Sequence, residues 1–99
     1  MYRYELHPEA QKEYEAAVQW YRDQSLVAAE NFVLAINEAL FRICQRPTWW
    51  RNTYLHYHEL GLKKYPYSII YTIEPAKELV VIIALFHHKQ NPAKKYRKT

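Results

Sequence analysis

Seven consecutive apolar residues, Val80 to Phe86, run directly into His87, His88 and a tail with five basic side chains and no acidic one. An apolar run this short and this sharply bounded reads as a buried strand. It falls far below the roughly 20 residues that a membrane-spanning helix needs. Whatever the fold, a core strand lies near the C-terminus and opens into a basic edge.

The 99 residues are expected to form a single domain over 1–99, with 89–99 as its basic C-terminal tail. A chain of this size can bury roughly two thirds of the surface it exposes when unfolded. The N-terminus lacks the basic-then-apolar order of a secretion signal, so a cytoplasmic location is expected. Cys44 stands alone among Leu40, Phe41 and Ile43. That setting suits a packed thiol in a reducing compartment better than a disulfide or a nucleophile.

The net charge of +4 is unevenly placed: residues 1–46 carry five basic and seven acidic side chains, residues 47–99 nine and three. The C-terminal half is therefore the half suited to a polyanionic partner, either nucleic acid or an acidic protein segment.

Hydropathy periods fix the elements. The stretch YRYEL alternates as a short first strand, and Pro8 sits where a helix start tolerates a missing N–H. Ala10, Tyr14, Ala17, Val18 and Tyr21 then form one apolar stripe. Ser25 can cap a second helix with the stripe Ala29, Phe32, Val33, Ile36, Leu40 and Ile43, which Pro47 ends. So short a connection predicts an antiparallel helix hairpin whose stripes need a further apolar surface. The C-terminal half supplies it: RNTYLHY as one strand, a reversal near His58, a second strand regular from Tyr67, the turn PAK, and the strand ending at His87 and His88. Gly61 and Pro66 predict a bend before Tyr67. The expected architecture is α+β: an N-terminal strand, an antiparallel helix hairpin and a three-strand antiparallel meander, with both helices on one face of the sheet. Phe32, Ile36, Leu40, Ile69, Tyr71, Val81 and Ile83 are its expected core.

Antiparallel pairing of 67–74 with 78–86 brings His87 and His88 back toward Lys63 to Tyr67. Imidazole is the side chain that titrates near neutrality, so a histidine beside lysines can move protons while cations stabilise charge on a phosphate. The competing reading is that the histidines cap a sheet edge. Adjacent strand residues point to opposite faces, so at most one of the pair would serve. His56 and His58 lack further ligands for zinc and read as surface residues; no metal or cofactor is expected. Trp49 and Trp50 fit packing or base stacking.

Three segments in order, HPEAQKEYEAAVQWYRDQS, LKKYPYSIIYTIE and ALFHHKQNP, resemble the RelE/ParE superfamily of toxins. The resemblance implies a type II toxin of the plasmid-stabilisation kind that inhibits growth and is neutralised by a cognate antitoxin, in a toxin–antitoxin hetero-oligomer. In the RelE branch such a toxin cuts mRNA on the ribosome; in the ParE branch it poisons DNA gyrase. By position, Lys63 and Lys64 match the sheet cations, His87 or His88 the residue ending the last strand, and Tyr96 the late tyrosine. The implied catalytic candidates are His87, His88 and Tyr96. Arg51, Lys63, Lys64, Lys89, Lys94, Lys95 and Arg97 are the candidate contacts to nucleic acid or target. No arginine lies between Arg51 and Arg97, so the sheet lacks a bidentate phosphate clamp. That gap, the long first helix and PYSIIY are closer to ParE-like members. An inactive domain that only binds its partner is the third expectation.

Overall fold

The computed structural model describes residues 1–96, with Lys94 described in its backbone alone. Arg97 of the candidate set lies outside the described residues. The order is β1 (Arg3–Leu6), α1 (Pro8–Gln24), α2 (Leu26–Gln45), β2 (Arg51–Tyr54), β3 (Tyr57–Gly61), β4 (Tyr67–Glu74) and β5 (Leu79–His87), with single 3-10 turns at Pro75–Lys77 and Pro92–Lys94.

One residue joins the helices. Ser25 donates its N–H to Tyr21 O at the end of α1 while its Oγ accepts from Ala28 N at the start of α2, at 2.9 Å. Its extended backbone lets it terminate one helix and cap the next. Pro8 opens α1, and His7 Nδ1 accepts the otherwise unpaired Glu9 N–H at 3.1 Å.

The five strands form one sheet in the order β1-β5-β4-β3-β2. β1 runs parallel to β5 at one edge; the other neighbours are antiparallel. Hence the meander has four strands where the sequence predicted three. The stretch RNTYLHY divides at Leu55 and His56 rather than continuing to His58. No glycine marks this reversal. Leu55 itself adopts the left-handed conformation at φ 48°, and Asn52 Nδ2 holds the turn by donating to Leu55 O at 2.9 Å.

Both helices pack on one face of the sheet. Phe32, Ile36, Leu40 and Ile43 of α2 and Ala10 and Ala17 of α1 meet Leu60, Ile69, Tyr71, Val80, Ile82 and Leu85. The opposite face carries a smaller cluster of Tyr57, Ile70, Ile83, Ala84 and Phe86. A bulge lies between them in the β4–β5 ladder: Ile70 faces Ala84, yet Tyr71 faces Ile82, so Ile83 is the extra residue. Ile83 and Ala84 thus share a face, and the alternation resumes with Leu85 back toward the helices. Of the expected core, Val81 alone is half-buried; it falls on the helix-free face, at the margin of the smaller cluster.

The chain after β5 turns back over that face. Lys95 Nζ pairs with Glu59 at 3.1 Å and lies 5.1 Å from the Phe86 ring centre. Tyr96 packs against Tyr54 and Tyr57 and donates to Thr53 Oγ1 at 2.8 Å. Among the described residues, no helix is long and apolar enough to cross a membrane.

Candidate functional site

The end of β5 and the start of β4 bring the two histidines to opposite sides of the sheet. His87 pairs with Tyr67 across the ladder and meets its ring edge-on at 4.9 Å, on the helix side. His88 turns to the other side, where its Nε2 hydrogen-bonds Ser68 Oγ at 2.9 Å while its N–H donates to Pro66 O. His87 Nδ1 accepts the Lys89 N–H at 3.0 Å, closing the turn that leads into the tail.

Behind His87 lies an aromatic stack. Tyr67 packs on Phe32, Phe32 on Tyr21 and Tyr65, and Tyr21 on Tyr65. Burial raises the phenol of Tyr67 above its ordinary value, and burial with the neighbouring Tyr67 and Tyr65 raises that of Tyr21. Both therefore stay protonated near neutrality and neither supplies a phenolate base.

Lys63 and Lys64 lie exposed in the 62–66 turn between β3 and β4. Among the described residues they make no hydrogen bond or ion pair, with either histidine or with any other group. They line one wall of a groove of about 820 Å³ whose other wall is α2, through Asn31, Leu34, Glu38 and Arg42. Trp50 lines it as well, with its Nε1–H buried and without a hydrogen-bond partner among the described residues. Arg51 is exposed on the β2 edge and Lys89 exposed after β5. Lys95 is committed to Glu59, and Tyr96 to Thr53 and the tyrosines of the β2–β3 hairpin. Lys94 is placed by its backbone in the last 3-10 turn.

Of the pair read as surface histidines, His56 is exposed as expected and His58 is not. His58 is half-buried, hydrogen-bonds Trp50 O through Nδ1 at 3.0 Å and stacks on Tyr71; exposed His56 stacks on Tyr57. Trp49 is exposed, with the Arg46 guanidinium 5.2 Å from its ring centre. Burial raises the Cys44 thiol above its ordinary value, which disfavours the nucleophilic thiolate.

The sequence profile of the ParE toxin of the type II toxin–antitoxin system parDE matches residues 4–92. The chain belongs to the ParE toxin family. The matched span runs from β1 through the first turn after β5, so the family's pattern covers the sheet, both helices and the His87–His88 exit. Solved structures share the fold. A chain described as the chromosomal ParDE toxin–antitoxin system of P. aeruginosa superposes with TM-score 0.70 at 17% identity, covering 88% of this chain and 95% of that one. The isolated E. coli RelE toxin gives 0.62 at 14%, covering 95% and 92%, and a chain of the intact E. coli RelBE complex 0.62 at 15%, covering 91% and 100%. No curated protein matches the chain. This ParE family member is thus a toxin of the type II toxin–antitoxin class.

Two features of its surface escaped the sequence patterns. Ser68, the partner of His88, reads in sequence as one polar residue within an apolar strand. The groove along α2 could have been found from Val27, Leu34 and Phe41, which lie outside the buried stripe and recur every seven residues.

Proposed function

We propose that this toxin inhibits growth by acting on DNA gyrase and that a cognate antitoxin neutralises it in a toxin–antitoxin complex of the plasmid-stabilisation kind. The match of residues 4–92 to the ParE profile carries the reading. The arrangement of the proton-transfer candidates supports it. A nuclease needs a base, an acid and a cation within hydrogen-bond reach of one phosphate. Here His87 faces the helix side, His88 binds Ser68 on the other, Tyr96 is bonded to Thr53, and among the described residues Lys63 and Lys64 are bonded to none of them. In this reading the exposed basic side chains, Arg51, Lys63, Lys64 and Lys89, grip a target rather than cut one.

The test is expression of the toxin alone in a bacterial host, followed by labelled thymidine and methionine. Gyrase inhibition stops thymidine incorporation first, and co-expression of the neighbouring reading frame restores it. Methionine incorporation failing first would favour the ribosome-dependent nuclease instead. Growth without any defect would favour a domain that only binds.

A further inference from the structure

The β2 edge of the sheet carries aromatic rings and arginines that the core leaves out. Trp49 and Tyr54 are 66% and 51% exposed, although aromatic side chains are those that gain most from burial. Each ring is held in place. The Trp49 N–H donates to Arg46 O at 3.0 Å, and the Arg46 guanidinium lies 5.2 Å from the Trp49 ring centre. Tyr54 stacks on buried Tyr57 at 6.3 Å with 12° between the planes, and packs on Tyr96 at 5.0 Å. Between the two rings in sequence stands Arg51, exposed and without an ion pair among the described residues. Its ladder neighbour Glu59 is already paired with Lys95. Residues 39–58 contain Arg42, Arg46 and Arg51 and no acidic side chain, and Arg42 is matched to Glu38 at 2.7 Å. Glu74 ends β4 at the Leu55 end of the sheet, with β3 between it and β2. The uncompensated charge of this edge is therefore positive, and it lies among exposed rings.

We infer that this edge binds a single strand of DNA, with unpaired bases stacked on Trp49 and Tyr54 and a phosphate held between them by Arg51. A single strand fits because an exposed ring accepts any base face to face, and a duplex offers such faces only at its ends. The five residues from Trp49 to Tyr54 span at most about 17 Å, which a strand of about five nucleotides covers at ~3.4 Å per phosphate. Arg46 beside Trp49 adds a cation at the first stacking position, and Arg51 answers the backbone between the two. Because both rings are already held, little side-chain freedom is lost when a base settles on them. Among the described residues β2 pairs with β3 alone, so its outer side is open to a ligand. The choice of DNA rests on the proposed action on gyrase, an enzyme whose substrate is DNA; the stacking and phosphate contacts stand on the geometry.

The experiment titrates purified full-length toxin into labelled oligothymidylate and, in parallel, oligouridylate and a blunt duplex, each over a series of salt concentrations. Oligothymidylate should bind more tightly than the duplex, and more weakly as salt rises. Trp49→Ala and Tyr54→Ala should each lower the affinity by about tenfold, while Tyr54→Phe, which keeps the ring, retains it. Arg51→Ala should weaken binding and reduce the slope of log affinity against log salt by about 0.7. Lys12→Ala, on α1 and paired with Glu9, keeps the wild-type affinity. Urea midpoints show that each variant is folded. Unchanged affinity in both ring variants, or a duplex bound more tightly than the single strand, overturns the inference and leaves only general attraction of charge. Tighter binding of oligouridylate overturns the assignment to DNA. No binding of any strand by the wild-type toxin, with gyrase inhibition lost in Trp49→Ala, overturns the inference and makes the edge a protein contact. Strand binding as expected with gyrase supercoiling untouched upholds the edge and overturns the gyrase reading instead.

Discussion

Glu13 on α1 accepts a hydrogen bond of 3.0 Å from the backbone N–H of Leu85 on β5, 72 residues later. The need for it lies in the sheet. β1 pairs with β5 only as far as Leu6 opposite Ile82, and the next N–H, of His7, donates to Ile82 O. Past the bulge at Ile83, no strand among the described residues flanks β5 on that side, and the α1 carboxylate takes the place of one. A half-buried N–H without a partner costs about 1–3 kcal/mol, and bonds to charged acceptors sit toward the upper end. Glu13→Ala should therefore lower the urea midpoint by the equivalent of about 1–2 kcal/mol, with Glu13→Gln recovering much of it. An unchanged midpoint in Glu13→Ala would show that water serves Leu85 equally well.

Tyr71 is fully buried and its hydroxyl donates to Pro47 O at 2.6 Å. This bond ties the end of α2 to the centre of the sheet. Burial first, and Cys44 beside it second, push the phenol well above its ordinary value of 10.0. The unfolded chain then loses this proton at lower pH than the folded one, so the stability is complete below about pH 10 and declines as pH rises further. Tyr71→Phe should cost about 1–2 kcal/mol at neutral pH and flatten the decline above pH 10, read as urea midpoints across an alkaline series. An equally steep alkaline decline in the variant would assign the loss to other groups.

The cover over the helix-free face is held by a pair with little access to water: the side chains of Lys95 and Glu59 are 20% and 7% exposed. Lys95→Met should destabilise by about 1–3 kcal/mol, because Glu59 keeps its burial and loses its cation. Adding Glu59→Gln should return part of that loss in a double-mutant cycle. Additive single effects would mean that the pair contributes nothing beyond its packing.

The helix hairpin was the most legible part of the molecule. Pro8, Ser25 and Pro47 carry their backbone preferences locally, and the stripes at three- and four-residue spacing need no tertiary knowledge. Gly61 and Pro66 likewise announced the break before Tyr67. The reversal at Leu55 did not show, because a leucine occupies the left-handed position and the stabilising group is the side chain of Asn52, three residues back. The bulge at Ile83 was hidden for another reason: with apolar residues on both faces of β5, a shift in alternation leaves no trace in hydropathy. Val81 was placed in the core by the same continuous run, and pairing alone shows it on the margin. For the candidate site, the sequence placed His87 and His88 near Lys63 to Tyr67; among the described residues His87 meets Tyr67, and neither histidine is bonded to Lys63 or Lys64. Their division between two faces followed from strand alternation; that His88 lies just past the end of β5 and binds Ser68 did not.

Ser25 serves both helices, ending α1 through its backbone N–H and capping α2 through its hydroxyl, so only the second link depends on its side chain. Ser25→Ala should cost about 1 kcal/mol, while Ser25→Asp, which retains an acceptor at the N-terminus of α2, should cost less. Equal losses in both variants, measured by urea unfolding, would place the constraint in the backbone rather than in the cap.

The central claim, a ParE-type toxin that acts on gyrase and not on mRNA, is tested most directly with purified toxin in two parallel reactions. One is supercoiling of relaxed plasmid DNA by gyrase; the other is a translating extract whose mRNA is mapped for cuts. The account predicts that supercoiling is inhibited in proportion to toxin, that the neighbouring antitoxin reverses the inhibition, and that mRNA remains whole. Ribosome-dependent cuts in mRNA with supercoiling untouched, abolished by at least about 100-fold in His87→Ala or His88→Ala, would contradict it and make one of those histidines the proton carrier.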